Sequence, residues 1–148
     1  MKNILVPVDF SDIADRVVDA AACMAEMTGA TITLIHVAPP EPDFVGYEPG
    51  PVTVRDAVAH RLRDEHRKLQ AMEKRIAGHD FTVTSLLIQG FASEKILQEA
   101  ARLSADLIVM GSHGHGLLRH LVVGSVTDGV LRKAKCPVLI VPSGARKS

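Results

Sequence analysis

The sequence predicts an α/β fold: a doubly wound, five-stranded parallel sheet in the order 3-2-1-4-5, with helices on both faces. Three observations carry that prediction. Strand-like apolar runs alternate with amphipathic helical patterns along the chain. The runs at 4–8 and 107–110 are nearly continuous in apolar residues, as in strands buried on both faces of a parallel sheet. The length, 148 residues of which 47% are hydrophobic, suits one domain with a single substantial core. Right-handed crossovers prune the topologies that remain.

Asn3 to Val8 reads as the first strand, with Pro7 near its end, where one ladder bond is dispensable, and Asp9 closing it. Ser11 is expected to cap the first helix, with Asp12 and Asp15 in its first turn. Ile13, Val17, Ala21, Met24 and Ala25 recur on one face of that helix, and Gly29 stops it. Cys23, set among alanines, reads as a small core residue. Ala30 to Val37 is a second strand rich in β-branched residues, in which His36 is read as an interior or edge histidine rather than a catalytic one. From Ala38 to Val52 prolines 39, 40, 42, 49 and 51 and glycines 46 and 50 make a long loop, of the kind that serves as a lid, a binding loop or a disordered segment. Phe44 and Tyr47 are its apolar points.

Val54 to Ala77 is the longest helical pattern, with Ala57, Val58, Arg61, Leu62, Glu65, Leu69, Met72 and Ile76 along one stripe. Its remaining charges alternate in sign and read as a solvated face rather than a basic binding surface. Gly78 ends it. Phe81 to Gln89 is the third strand, closed by Gly90, and Ser93 is expected to cap a helix from Glu94 to Leu103. Asp106 leads into the fourth strand, Leu107 to Met110. A helix from Ser125 to Lys135 carries Arg132, Lys133 and Lys135 in its last turn, and Val138 to Val141 forms a last strand between Pro137 and Pro142.

Composition excludes several functions. Seventeen basic residues balance seventeen acidic ones, so neither nucleic acid nor an anionic membrane is an expected partner. No apolar run approaches the length of a membrane span, and Met1-Lys2 leads directly into an apolar stretch too short for a signal peptide, so a cytoplasmic protein is expected. Cys23 and Cys136 are far apart, with no CxxC spacing, which fits thiols in a reducing compartment. Of seven histidines only His113 and His115 are close neighbours, with no carboxylate near them in sequence, and no metal site is expected.

The chemistry concentrates between Leu107 and Thr127. Gly111, Gly114 and Gly116 would let the backbone take positive φ beside a ligand, and Gly124-Ser125 opens a helix whose first N–H groups are unpaired. A plain loop and a phosphate cradle are both open on that chemistry. No lysine follows the glycines as a Walker A loop requires, and no Gly-x-Gly-x-x-Gly occurs, so a cradle here would act through backbone amides and hydroxyls. Asp9 either caps its own turn or accepts hydrogen bonds from a ligand. In the order 3-2-1-4-5 the connections after the first and fourth strands diverge, and the crevice is lined by Asp9, Val37 and residues 110–115.

The spacing Gly111-x2-Gly114-x9-Gly124-Ser125, with VPVDFS at 6–11 and KCPVLIVP at 135–142, closely resembles the universal stress protein family, in particular its ATP-binding branch. The resemblance covers essentially the whole chain. It implies that Asp9 bonds the adenosine portion, that Pro7, Val8 and Val37 help form the adenine pocket, and that Met110 packs beside ribose and adenine. It further implies that Gly111, His113 and Gly114 line the ribose and first phosphates. Gly124, Ser125, Val126 and Thr127 would hold the phosphates of ATP, normally accompanied by Mg2+. His113, His115 and His120 stand where Lys or Arg would be expected to neutralise charge, leaving Arg119 as the fixed cation of the loop. The expected function is an ATP-binding regulatory protein with little or no turnover, the alternative being a slow ATPase or phosphotransferase using Ser125, Thr127 or a loop histidine. The edge strand Val138 to Val141 is expected to pair with a second copy in a homodimer, as the resemblance also implies; a protein partner is not identified.

Overall fold

The structure, a computed structural model, describes residues 1–40, 52–78, 80–112 and 123–144. Its elements are β1 (Asn3–Pro7), α1 (Ala14–Thr28), β2 (Thr31–Ala38), α2 (Val52–Ile76), β3 (Val83–Gln89), α3 (Ala92–Arg102), β4 (Leu107–Gly111), α4 (Ser125–Lys133) and β5 (Val138–Val141). All strand pairs are parallel, and the five strands lie in the order β3-β2-β1-β4-β5. The predicted architecture is therefore the observed one.

Strand pleating divides the core in two. Ile4 and Val6 of β1, Ile32 and Leu34 of β2 and Val109 of β4 point to one face, where Val17, Val18, Ala21 and Ala25 of α1 and Leu69 and Ile76 of α2 meet them. Leu5, Ile35, Ile108 and Met110 point to the other, against Ile96 of α3 and Val130 of α4. Strands buried on both sides need apolar residues at every position, which is why β1 and β4 read as unbroken runs. Among the described residues no helix is long and apolar enough to cross a membrane.

Two predicted caps are corrected. Ser11 does not cap α1: the helix starts at Ala14 after Ile13, with no side-chain cap, and it is the Ser11 carbonyl that accepts the Ala14 N–H at 3.1 Å. Phe10, at φ +58°, turns the chain sharply and inserts a tight turn before the helix. Ser93 is likewise inside α3, behind an extended Phe91, where it packs on α4; a Cβ on Gly129 would come within 3.0 Å of the Ser93 Cβ. Gly29 stops α1 as expected, left-handed at φ +68° with its N–H on the Ala25 carbonyl.

Cys23 is also corrected, from core to exposed. Two residues from both Ala21 and Ala25 is about 200° around a helix, so burying those two alanines turns Cys23 outward. Along α2 the predicted stripe is buried only in its later part: Leu69 and Ile76 are buried, whereas Ala57 is exposed. The helix begins at Val52, inside the predicted loop. The fourth helix stops at Lys133, two residues early, because Ala134 is already extended.

Candidate functional site

β1 lies between β2 and β4, and the chain leaves β1 for α1 on one face of the sheet and leaves β4 toward α4 on the other. The carboxyl ends of β1 and β4 therefore lie side by side where the two connections diverge, the point at which open α/β sheets form their crevice. Asp9 stands exposed at its β1 side, and its Oδ1 accepts the Ser11 N–H at 3.0 Å. That bond orients the carboxylate within the turn.

Val37 and Met110 share the α3/α4 face, Val37 packed against the core cluster there and Met110 4% exposed within it. Pro7, in register with Ile35 of that cluster, falls on the same face. Val8 does not. Its side chain is buried in the α1/α2 cluster, its N–H bonds the Ile35 carbonyl at 2.9 Å, and its carbonyl bonds His36. Among the predicted pocket residues, Val8 thus serves the crevice from behind, as part of the wall that holds Asp9.

At the β4 side the expectation of positive φ at Gly111 is not met. Gly111 is the last residue of β4, in register with Val141, and lies outside the left-handed glycines of the described residues. Its carbonyl accepts the Thr127 hydroxyl at 2.9 Å, and Thr127 is buried. The Ser112 N–H bonds the Val141 carbonyl at 3.0 Å, and the Ser112 carbonyl accepts the Gly124 N–H at 2.9 Å. These bonds close residue 112 on residue 124 and aim the start of α4 at the carboxyl end of β4. His113 and Gly114, together with His115, Gly116, Arg119 and His120, lie outside the described residues, as do Phe44 and Tyr47.

Gly124 is the N-cap of α4 and supplies no side chain; Asp128 N–H bonds its carbonyl at 2.8 Å. Helix geometry leaves the N–H groups of Ser125, Val126 and Thr127 without acceptors inside the helix, and Ser125 and Val126 are exposed. An anion at that point would meet unpaired donors and the positive end of the helix dipole. The acidic group of the first turn, Asp128, is engaged by Arg132 Nε at 2.8 Å, and that bond holds the Arg132 guanidinium firmly protonated.

Sequence reasoning missed a second polar group behind the crevice. His36 is interior, as read, yet only one of its nitrogens is satisfied: Nδ1 lies 2.8 Å from the Val8 carbonyl, while Nε2 faces Glu65 Oε2 at 3.5 Å, and both of these facing atoms are buried without a hydrogen-bond partner. The Phe10 ring sits against the imidazole at 4.4 Å between centroids. The available signal was Glu65 on the apolar stripe of its helix. Asp106, noted only as the approach to β4, accepts the Lys2 and Asn3 N–H groups at 2.7 and 3.0 Å; these bonds hold its carboxyl below the usual range. Burial pushes the Cys136 thiol up, which keeps it protonated and unreactive. Among the described residues no three His, Cys, Asp or Glu side chains gather as metal ligands.

Comparison with known proteins agrees with this fold. The model described as "Universal stress protein family" matches residues 1–142. A universal stress protein of Thermus aquaticus is 38% identical over 140 residues, covering 95% of this chain and 98% of its own. The solved structure of MJ0577, a universal stress protein of Methanocaldococcus jannaschii, superposes with a TM-score of 0.79 at 28% identity, covering 97% of each chain. A universal stress protein solved in complex with cAMP superposes with a TM-score of 0.71 at 25% identity, over 97% of this chain and 98% of that one.

Proposed function

Because the chain belongs to the universal stress protein family, we propose that it is an ATP-binding regulatory protein whose nucleotide state sets its conformation or its partners. What supports this reading is that Asp9, Val37 and Met110 lie at the carboxyl ends of the neighbouring strands β1, β2 and β4, and that the Thr127–Gly111 bond holds the head of α4 at the end of β4. The cAMP complex of a relative supports an adenine nucleotide as the ligand class.

In this reading Asp9 accepts hydrogen bonds from the nucleoside, and Pro7, Val37 and Met110 wall the base and ribose. Gly111 brings the backbone close, and Ser125, Val126 and Thr127 donate their N–H groups to the phosphates. Gly124 matters because a side chain at the N-cap would occupy the anion's approach. His113 and Gly114 complete the set by their place in the motif. Mg2+ would accompany the triphosphate and neutralise part of its charge. The Thr127 hydroxyl is committed to Gly111, so it is poorly placed as a nucleophile, and binding without rapid turnover is the reading retained. The protein is proposed to act in the cytoplasm as a homodimer.

Calorimetry on protein stripped of carried-over ligand tests the site. Gly124→Asp places a carboxylate at the head of α4 and is expected to weaken ATP about tenfold or more, with adenosine changed less than about twofold. Equal weakening of both ligands would overturn the phosphate assignment, and absence of any adenine nucleotide affinity in the unaltered protein would overturn the function.

A further inference from the structure

Resting on the nucleotide reading above, we propose that His36 is a positioning residue whose protonation against Glu65 fixes the Val8–Ser11 turn, so that occupancy of the Asp9 crevice is linked to uptake of one proton. His36 Nδ1 donates to the Val8 carbonyl, at 2.8 Å, because a carbonyl can only accept. In the neutral ring Nε2 is then an acceptor, and it faces another acceptor, Glu65 Oε2, at 3.5 Å. Both atoms are buried and lack partners, an arrangement that a proton between them satisfies. With the proton on Nε2 the contact becomes a charge-assisted N–H···O bond, and 3.5 Å leaves it room to shorten.

The neighbours define what this bond controls. Val8 precedes Asp9, and Phe10, strained at φ +58°, is clamped between the His36 ring at 4.4 Å and Lys68 Nζ at 5.6 Å from its centroid. Tightening His36 onto Glu65 therefore ties α2 to the Val8 carbonyl and to the Phe10 ring that follows. Among the described residues, Arg61 of α2 faces the pair, its Nε 4.0 Å from Glu65 Oε1, and Lys68 of the same helix lies over the Phe10 ring. Asp9, bonded to the Ser11 N–H, lies at the β1–α1 corner. Strands β1 and β3 contribute no ionisable side chain, and α1 directs Asp15 and Asp19 to Arg75. A proton on Nε2 is what closes the contact, so the turn is expected to be tight when the ring carries it and loose when it does not.

Glu65→Gln separates this from a merely structural contact. A glutamine amide can donate to neutral Nε2, so the variant should hold the turn at every pH. In the ligand-free protein, 15N NMR from pH 5.5 to 8.5 should show the Phe10 and Ser11 amides titrating with the His36 imidazole in wild type and flat in Glu65→Gln. ATP affinity, taken as the ratio of wild type to variant so that ATP's own titration cancels, should fall about fivefold or more between those limits. His36→Asn, which keeps a donor for the Val8 carbonyl, should also remove the pH response of the Phe10 and Ser11 amides. Amides that ignore the imidazole titration, or a pH dependence unchanged by Glu65→Gln, would overturn the proposal. Failure of ATP to bind at any pH would strike the nucleotide reading instead, because the amide titration needs no ligand.

Discussion

At the scale of single residues, the site depends on polar atoms that are already engaged within the fold. Thr127 illustrates the point. Its hydroxyl is buried on the Gly111 carbonyl, joining α4 to the end of β4, whereas the neighbouring Ser125 hydroxyl is exposed. Thr127→Val keeps the volume and removes the donor, and should cost about 1 kcal/mol in urea unfolding. Ser125→Ala should change stability by less than about 0.5 kcal/mol. Equal effects would mean that the Thr127 bond is not what holds the two elements. The motif GSVT was legible as a helix start from its residue types. That one of its hydroxyls faces inward was not, because which side of α4 meets the sheet depends on α3 and β4.

At the scale of elements, the sheet's ends are tied as firmly as its middle. The Asp106 carboxylate bridges the Lys2 and Asn3 N–H groups, joining the entry of β4 to the start of β1 across more than one hundred residues of chain. Those bonds depress the acid's pKa in the folded state. A depressed carboxyl contributes stability that is full above its unfolded value and is lost as pH falls through the folded one. Asp106→Ala should therefore lower stability at pH 7 and match wild type near pH 2, as read by denaturant midpoints; a deficit of the same size at both would refute the linkage. Helix α2 shows the limit of periodic patterns. Its stripe was drawn through Ala57, which is exposed, while Leu69 and Ile76 are buried: an amphipathic repeat names a face without saying how much sheet lies beneath it.

At the scale of the whole molecule, β5 is an edge strand of the sheet among the described residues, and Leu139 on it is 38% exposed. An apolar side chain beside an open edge suits pairing with a second copy, and the prolines flanking the strand limit how far such pairing extends. Light scattering at micromolar concentration should give twice the chain mass for wild type and a monomer for Leu139→Glu. A monomeric wild type would remove the dimer.

Fold class and strand order were determined by the sequence alone, because they rest on short-range signals. Apolar runs mark buried strands, 3.6-residue periods mark helices, and the handedness of parallel crossovers leaves few ways to join them. The same signals put Asp9 and Gly124 at element ends, where ligands bind. Only the tertiary structure decided which atoms face each other across the sheet. Glu65 meets His36 because α2 returns over β2, Asp106 reaches Lys2 because β4 lies beside β1, and Cys23 points outward because Ala21 and Ala25 point in. Such pairings are set by the packing of whole elements, whose angles and offsets no local pattern encodes.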